Sequence, residues 1–221
     1  RGTLSSRVSI FRVGVSQPAL MATDAFRVAL QEAGIIATGA PRLAATPEDA
    51  KLIHRHYSIP LSEMVRKMNN DSDNFFAEHV FKAAARKMVG EGSYLRAGPA
   101  SALHFHQVAD IPLGALYQMD GSGLSRHNRT TPAATVRALI HAHEAPYSEV
   151  FHASMAVAGE QSGTLRRLFT TSPAAGNLHA KTGFINGVRT LSGYVTAANG
   201  ELIAFAFYYN GRGTSPARGV Q

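Results

Sequence analysis

The last third of the sequence contains three strand-like runs, which constrain the fold more than any other feature. The runs are rich in β-branched and aromatic residues and read NLHAKTGFI (177–185), VRTLSGYVTA (188–197) and ELIAFAFYYN (201–210). The tripeptide ANG at Ala198–Gly200 suits a tight hairpin turn between the last two runs. Because helical patterns fill most of the chain before this region, we predict an α+β fold in which helices pack on an antiparallel sheet.

Helical patterns with start and stop signals precede these strands. In the segment 60–69, apolar residues recur at i, i+3, i+4 and i+7, which predicts a helix with one buried face. These residues are Leu61, Met64, Val65 and Met68. The other predicted helices are Pro18–Gly34, 74–90, Pro99–Val108, Pro132–His143, Ser148–Ala156 and Ser162–Phe169. Two earlier strands are predicted at Arg7–Val15 and Ile35–Gly39.

Composition indicates a globular protein with an excess of positive charge. Of the 221 residues, 45% are hydrophobic and 17% are charged, unlike a disordered chain. The formal net charge is +7, which favours an anionic partner such as a carboxylate-bearing polymer if the charge is functional. The basic residues are scattered, with Arg166–Arg167 as the longest cluster, and no nucleic-acid-binding motif is present. We therefore expect no nucleic acid partner.

The lack of cysteine limits the kinds of site that the protein can form and bears on its cellular location. Without Cys, disulfides and thiolate metal sites are excluded, and the composition suits a bacterial envelope protein. No apolar run approaches the length of a membrane-spanning helix, so no membrane span is expected.

Two short motifs carry the chemistry that the sequence suggests. Ser72–Asn74 (SDN) lies in the break between two predicted helices, and Lys181–Gly183 (KTG) lies in the first strand of the predicted sheet. Each motif alone is weak, because SDN is also typical of a helix N-terminus and KTG also suits the end of an exposed strand. Together and in this order, they match motifs that accompany S-x-x-K in class A β-lactamases and penicillin-binding proteins.

Longer segments around these motifs resemble class C low-molecular-mass penicillin-binding proteins. The segments are SEMVRKMNNDSDNFFAEHVF (62–81), MDGSGLSRHNRTTP (119–132) and HAKTGFINGVRTLSGYV (179–195). The resemblance runs, with gaps, from about Pro18 to about Tyr209. It implies the penicillin-binding protein/β-lactamase-like transpeptidase fold and the activity of a periplasmic D-Ala-D-Ala carboxypeptidase/endopeptidase. The implied partners are peptidoglycan stem peptides and β-lactam antibiotics, and no metal or organic cofactor is implied.

The resemblance also implies roles for single residues in an acyl transfer. Ser72 relays a proton toward the leaving nitrogen, and Asn74 holds the catalytic lysine and the substrate backbone. Asp73 points the other way and is structural. Lys181 and Thr182 meet the terminal carboxylate of the substrate, by charge and by a hydroxyl donor.

Two further residues complete the expected binding strand. Gly183 leaves room for a peptide that lies antiparallel along the strand, and the backbone N–H of Phe184 supplies an oxyanion donor. The family often has a small polar residue at this position, so Phe184 leaves the fine substrate preference open. The segment Asp120–Gly123 is interpreted as a glycine-rich turn in which Asp120 bonds its own backbone, ahead of a direct catalytic role. The roles of Asp120 and Ser122 stay open.

The nucleophile that the resemblance implies, the Ser of S-x-x-K, is not in the sequence, since no serine has a lysine three residues later. The family places S-x-x-K far upstream of SDN and ends with a long helix packed on the sheet. We therefore interpret the chain as a C-terminal portion, with 1–40 as the end of an inserted domain and return segment. Residues 41–221 are then part of the catalytic domain, and the chain alone is predicted to be inactive. The alternative is a relative that has lost its nucleophile and only binds.

Three rival functions fit parts of the sequence. A class A β-lactamase needs a Glu between the two motifs for deacylation, and no Glu lies between Ser93 and His143. A non-catalytic module that binds cell-wall D-Ala-D-Ala peptides beside Lys181 is the second rival.

A metalloprotein is the third rival, because three His pairs occur at i, i+2. The pairs are His54/His56, His104/His106 and His141/His143. Such pairs share a face only on a strand, and the last two lie in predicted helices. Most of these histidines are therefore expected at the surface or as caps.

Overall fold

The structure is a computed structural model that describes residues 14–211, and the chain divides into two compact units, 1–56 and 57–221. The first unit contains helix α1 (Pro18–Glu32), close to the predicted bounds. After α1, Gly34 has a φ of +78° and the Ile35 N–H donates to the Leu30 carbonyl at 2.8 Å, which is a Schellman motif. The predicted domain boundary at residue 40 stays a prediction.

The two strands predicted in the first unit have different outcomes. Arg7–Val15 lies outside the described residues except for 14–15, which have no regular structure. The predicted strand Ile35–Gly39 is wrong: Ile36 is 83% exposed, and no strand is present in residues 14–56 to pair with this segment. The β-branched residues that suggested a strand here have neither a ladder nor a core to stabilise them.

The described residues of the second unit form five helices and six strands. They are α2 (Leu61–Asn70), α3 (Asn74–Val89), α4 (Tyr94–Ala109), β1 (Leu116–Tyr117), β2 (Arg129–Thr130), α5 (Pro132–Glu144), α6 (Ser148–Ala153), β3 (Ala156–Val157), β4 (His179–Ile185), β5 (Val188–Thr196) and β6 (Leu202–Asn210). Across residues 14–211, no helix combines the length and apolar character that crossing a bilayer requires.

Strands β3 to β6 form one antiparallel sheet in chain order, and β1 and β2 form a separate two-stranded ladder. The two-residue loop Asn186–Gly187 joins β4 to β5, and Gly187 has the positive φ, +83°, that such a loop requires. The predicted turn Ala198–Gly200 joins β5 to β6. Helix α5 packs on this sheet, so the predicted α+β architecture is confirmed.

The sheet buries side chains on both faces. On one face, Ala180 and Leu191 share a core cluster with Leu165, which lies in the turn-rich segment after β3. On the other face, Tyr194 packs against Leu139 of α5 and its hydroxyl donates to the Leu139 carbonyl at 2.6 Å. Alternation along the strands assigns the Lys181 side chain, which opposes Ser192, to this second face.

Capping side chains set the starts of two helices near the predicted positions. The Asp73 carboxylate accepts from the Phe76 N–H at 3.2 Å at the start of α3, and the Thr131 hydroxyl accepts from the Ala134 N–H at 3.1 Å at the start of α5. Gly90, with a φ of +79°, ends α3 as predicted. The predictions of α2, α3 and α5 are therefore confirmed.

Three other helix predictions need correction. Helix α4 begins at Tyr94, not at Pro99, because the helical bonds already start at the Ser93 carbonyl and the internal proline removes only one bond. Helix α6 ends at Ala153, because the chain then enters β3 at Ala156.

The predicted helix Ser162–Phe169 is absent, and this segment forms successive turns instead. Its backbone bonds reach other segments: the Thr164 N–H donates to the Asn70 carbonyl at 3.1 Å, and the Leu165 carbonyl accepts from Gly159. Leu165 is fully buried against the sheet. Tertiary hydrogen bonds and burial therefore replace the local helix that the sequence pattern suggested.

Candidate active site

The two sequence motifs, 109 residues apart, meet in space. Lys181 of β4 donates from Nζ to the Ser72 Oγ at 2.7 Å. Ser72 lies in the turn between α2 and α3 with a φ of +58°, a conformation that non-glycine residues rarely adopt and that costs about 1–3 kcal/mol. The surrounding turn must therefore hold Ser72 in place.

The six predicted site residues all line one groove of about 1040 Å³. They are Ser72, Asn74, Lys181, Thr182, Gly183 and Phe184. The groove runs between the turn that precedes α3, the loop around Asp120–Gly123 and the open part of β4. Its volume is at the upper limit of the range typical of small-molecule sites.

Burial changes the protonation chemistry of Lys181. Desolvation lowers the pKa of Lys181 from 10.5 to about 8. The amine also donates to the Thr182 carbonyl at 2.5 Å, and no carboxylate in residues 14–211 forms an ion pair with it. At neutral pH the amine is mostly charged and has no fixed counter-ion in the described structure. These properties suit a site for an anionic ligand.

Within residues 14–211, no strand pairs with the outer edge of β4 from Lys181 onward. Strand β3 pairs only with the first two residues of β4, whereas β5 pairs with all seven. Across the two-residue loop, Ile185 and Val188 form a hydrogen-bonded pair, and alternation makes Gly183 and Lys181 the next residues that bond to β5. The N–H groups of Thr182 and Phe184 therefore point to the open edge. An extended peptide can add to such an edge as a further strand.

The close neighbour of Gly183 is a side chain of the next strand. A Cβ at this position would lie 2.1 Å from the Thr190 Oγ1, directly across the ladder. The sequence suggests only that Gly183 leaves room for a ligand, and the contact with Thr190 is visible only in the structure. The close pairing of β4 and β5 therefore favours glycine at position 183, whatever lies in the groove.

The Phe184 ring has a partner of its own. The Arg189 guanidinium lies 3.3 Å from the centre of this ring, and the two residues oppose each other in the ladder. Cation–π contact of this kind accounts for an aromatic residue here without involving the groove. The Phe184 backbone N–H stays on the open edge.

Asp73 and Asn74 are neighbours in the sequence, but their side chains have different surroundings. The Asp73 carboxylate caps α3, as described above, which agrees with its predicted structural role. Asn74 is the first residue of α3, is exposed and lines the groove. Its side chain is therefore accessible to a ligand.

The loop Asp120–Gly123 is a turn held by two carboxylates. Asp120 accepts from the backbone N–H groups of Gly123 at 2.8 Å and Ser125 at 2.6 Å, which confirms the turn interpretation. Glu78 of α3 accepts from the N–H groups of Gly121 at 3.0 Å and Ser122 at 3.1 Å. A Cβ at Gly121 would lie 2.4 Å from the Ala77 carbonyl oxygen, so the loop packs directly on α3.

Glu78 is a residue that sequence reasoning missed. Burial raises the pKa of Glu78, but hydrogen bonds from the Ser122 hydroxyl and backbone, the Gly121 N–H and Tyr94 outweigh it, and the net pKa is lowered. The available signal was its spacing: Glu78 follows Asn74 by four residues and so shares one face of α3 with it. Helix α3 thus holds the loop on the side that carries Asn74.

Two arginines were also missed, although they lie within the segment 119–132 that carries part of the family resemblance. Arg126 and Arg129 line the groove, and Arg126 donates to the Asn186 carbonyl at 3.2 Å. Two acidic residues, Asp73 and Asp120, also line the groove, and their carboxylates accept hydrogen bonds from backbone N–H groups. With Arg126, Arg129 and Lys181 against these two carboxylates, the lining of the groove carries a formal net charge of +1.

A separate cavity of about 510 Å³ brings together His143, His152 and His179 from three different elements. The rings of His152 and His179 stack with centroids 4.1 Å apart. Within the described part of the chain, no three His, Cys, Asp or Glu residues are arranged to hold a metal ion.

Comparison with known proteins gives a consistent result over the whole sequence. The model of the D-Ala-D-Ala carboxypeptidase 3 (S13) family matches residues 1–221. The D-alanyl-D-alanine carboxypeptidase of Actinomadura sp. (strain R39) is 34% identical over 214 residues, which are 94% of this chain and 39% of that protein. D-alanyl-D-alanine carboxypeptidase DacB of Haemophilus influenzae is 32% identical over 187 residues, which are 84% of this chain and 39% of that protein. The chain thus spans about two fifths of each relative.

Solved structures support the same fold. The crystal structure of penicillin binding protein 4 (dacB) from Haemophilus influenzae, complexed with a β-lactam, has a TM-score of 0.80 and 29% identity, covering 95% of this chain and 48% of that one. A predatory endopeptidase of Bdellovibrio bacteriovorus, in complex with an immunity protein, has a TM-score of 0.59 and 18% identity and covers 87% of this chain and 50% of that one. The latter likeness concerns the fold alone. The predicted fold and family resemblance are confirmed.

Proposed function

The chain belongs to the D-Ala-D-Ala carboxypeptidase 3 (S13) family, and from this premise we propose that its groove binds the carboxylate end of peptidoglycan stem peptides. The protein is then a serine-type D-Ala-D-Ala carboxypeptidase/endopeptidase. Because peptidoglycan lies outside the inner membrane, its place of action is the periplasm. β-Lactams, one of which is bound in the similar Haemophilus structure, are the expected inhibitors.

The contact between Lys181 and Ser72 carries this proposal. It joins a cation that can bind a carboxylate to a hydroxyl that can pass on a proton, at 2.7 Å. In the reaction, a serine attacks the penultimate D-Ala carbonyl and gives up its hydroxyl proton, which passes to Ser72 as the C–N bond breaks. Ser72 delivers a proton to the leaving amine of the terminal D-Ala, and water then hydrolyses the ester.

The other groove residues hold the substrate during these steps. Lys181 and the Thr182 hydroxyl bind the terminal carboxylate, and the Asn74 amide holds the substrate backbone. The Phe184 N–H, on the open edge of β4, donates to the carbonyl oxygen as its charge develops. Gly183 keeps the edge free of a side chain where the peptide lies.

The attacking serine is proposed to come from outside the printed sequence. The 221 residues contain no S-x-x-K, and they span about two fifths of the curated relatives. A fluorescent penicillin should therefore leave no covalent label on this chain. The same reagent should label a longer protein that includes S-x-x-K, and failure to label that protein would favour the alternative, a module that binds wall peptides without cutting them.

Calorimetry with a matched pair of peptides tests the binding proposal on the chain itself. The first peptide is diacetyl-L-Lys-D-Ala-D-Ala, and the second ends in a carboxamide in place of the carboxylate. We expect the acid to bind about tenfold more tightly or better, because a charge-assisted hydrogen bond is lost in the amide. Lys181→Met should abolish this preference, whereas Lys87→Met, an exposed position on α3, should keep it. Equal binding of acid and amide by the unmutated chain would contradict the proposal.

A further inference from the structure

Two buried polar side chains join the end of α2, close to Ser72, to the segment that leads into β3, the strand that pairs with β4. Asn69 is in the last turn of α2, three residues before Ser72, and is 8% exposed. Ser154 directly follows α6 and is 2% exposed. Asn69 donates from Nδ2 to the Ser154 Oγ at 2.8 Å, and the Ser154 hydroxyl donates to the Phe151 carbonyl at 2.6 Å. Both side chains therefore have hydrogen-bond partners despite their burial.

The chain after Ser154 enters β3, which pairs with β4 next to Lys181. Two residues on, Ala156 begins β3 and pairs with Ala180 of β4, and both alanines are fully buried. Lys181 is the next residue of β4, and it donates to Ser72. Ser72 and Lys181 are therefore linked twice. They are linked directly by their hydrogen bond, and indirectly through the Asn69–Ser154 bond and the pairing of β3 with β4.

The end of α6 has a second contact with β4. The ring of His152, two residues before Ser154, stacks on His179 with centroids 4.1 Å apart. Because His179 lies two residues before Lys181, it is on the same face of the strand. The end of α6 therefore touches both α2 and β4 near the residues that meet in the groove.

We infer that Asn69 and Ser154 are positioning residues that hold the Ser72 hydroxyl and the Lys181 amine at hydrogen-bonding distance. This inference rests on the proposed function of the groove. Removing the Ser154 hydroxyl leaves a buried amide N–H of Asn69 without its partner, and such a group is costly enough to shift its surroundings. Displacements of about 1 Å at a reacting group can lower rates by about a hundredfold. The strained Ser72 depends on such external support.

The test compares two Ser→Ala changes in the full chain. Ser154→Ala is the test variant. Ser172→Ala is the matched control, because the Ser172 hydroxyl also donates to a carbonyl three residues earlier, that of Phe169 at 3.1 Å, but is not bonded to Asn69. The readouts are the pKa of Lys181, measured by NMR of its side chain, and the affinity for diacetyl-L-Lys-D-Ala-D-Ala.

We expect Ser154→Ala to move the measured pKa of Lys181 toward its ordinary value by about one unit and to weaken the peptide about tenfold. Ser172→Ala should change neither quantity. A general loss of stability does not move the pKa of the folded molecules, so this readout separates positioning from folding. Ser154→Cys, which adds little volume and keeps only a weak donor and acceptor, should give a smaller shift in the same direction and decides the matter if the alanine variant does not fold.

An unchanged Lys181 pKa in both folded Ser154 variants would overturn the inference, as would an equal shift in Ser172→Ala. If the unmutated chain binds no peptide, the proposed function fails. The comparison of Lys181 pKa values still decides whether Asn69 and Ser154 position the pair.

Discussion

The two ends of β4 are built differently although they belong to one seven-residue strand. At the closed end, His179 and Ala180 have strands on both sides, β3 and β5. At the open end, residues 181–185 pair with β5 alone in the part of the chain that the structure describes. The closed end fixes where the strand lies, and the open end leaves backbone N–H groups for a ligand. A strand can therefore form a binding edge without being loosely held.

The ladder between β4 and β5 contains one glycine at the closed end of β4 and another at the open end. The neighbours of these two glycines differ in how freely they can move. At the closed end, a Cβ on Gly193 would lie 2.1 Å from the His179 carbonyl oxygen and 2.6 Å from the Ala180 Cα, both backbone atoms. At the open end, a Cβ on Gly183 would meet the Thr190 hydroxyl, also at 2.1 Å. Backbone atoms in a paired ladder cannot move aside, whereas a hydroxyl can rotate or be removed.

The largest expected effect follows from Gly193→Ala at the closed end. The new methyl group overlaps the backbone of β4, so we expect the free energy of unfolding to fall by about 3 kcal/mol or more. Urea denaturation followed by circular dichroism measures this loss. A loss below about 1 kcal/mol would contradict the account of a rigid closed end.

A smaller effect is expected from Gly183→Ala at the open end. We expect a loss of about 1–2 kcal/mol in the same denaturation experiment, because the overlapping atom is a side-chain hydroxyl. Adding Thr190→Ala should restore most of the stability but not the peptide affinity, because the methyl group at position 183 remains beside the bound peptide. Thr190→Ala alone serves as the control. Full recovery of affinity in the double variant would mean that Gly183 serves only the packing against Thr190.

Two pH dependences are also expected, one of the peptide affinity in base and one of the stability in acid. Desolvation lowers the pKa of Lys181 to about 8. The charged amine binds the carboxylate, so peptide affinity should be constant below pH 7 and fall as the pH rises through about 8, by at most tenfold per unit. Calorimetry between pH 6 and 10 measures this fall. A flat profile would exclude Lys181 as the carboxylate partner.

The histidines at the closed end should respond in acid. Burial lowers the pKa values of His152 and His179 below 6.5, with a further contribution from neighbouring histidines for His152. As the pH falls below 6.5, the unfolded chain takes up protons before the folded chain does, and the free energy of unfolding decreases. Thermal unfolding at pH 5 and pH 7, for the unmutated chain and for His179→Phe, measures this contribution. An equal pH dependence in both proteins would contradict it.

Much of the fold could be predicted because the local signals agreed with the tertiary structure. The spacing in Leu61–Asn70, the cap at Thr131 and the loop Ala198–Gly200 each act within a few residues of chain. The strand β3, with only Ala156–Val157, is too short to show any alternation. The segment Ser162–Phe169 has a helical pattern, but long-range bonds and burial of Leu165 determine its turns.

The candidate site shows the same division. The SDN and KTG motifs identified residues of the groove because their types and their order match a known set of motifs. The partners that hold the groove in shape, such as Glu78 for the loop and Ser154 for α2, are distant in sequence from the groups they bond. Nothing in their local surroundings marks them, so only the folded structure identifies them.

Hydrogen exchange of the β4 amides, measured by NMR with and without peptide, tests the central claim most directly. In the free chain, the N–H groups of Lys181 and Gly183 bond to β5 and should exchange slowly, whereas those of Thr182 and Phe184 should exchange fast. Saturating diacetyl-L-Lys-D-Ala-D-Ala should slow the exchange of Phe184 by about tenfold or more, and its carboxamide analogue should do so far less. Fast exchange at Phe184 in the presence of saturating bound peptide would contradict the claim that the open edge of β4 binds the substrate.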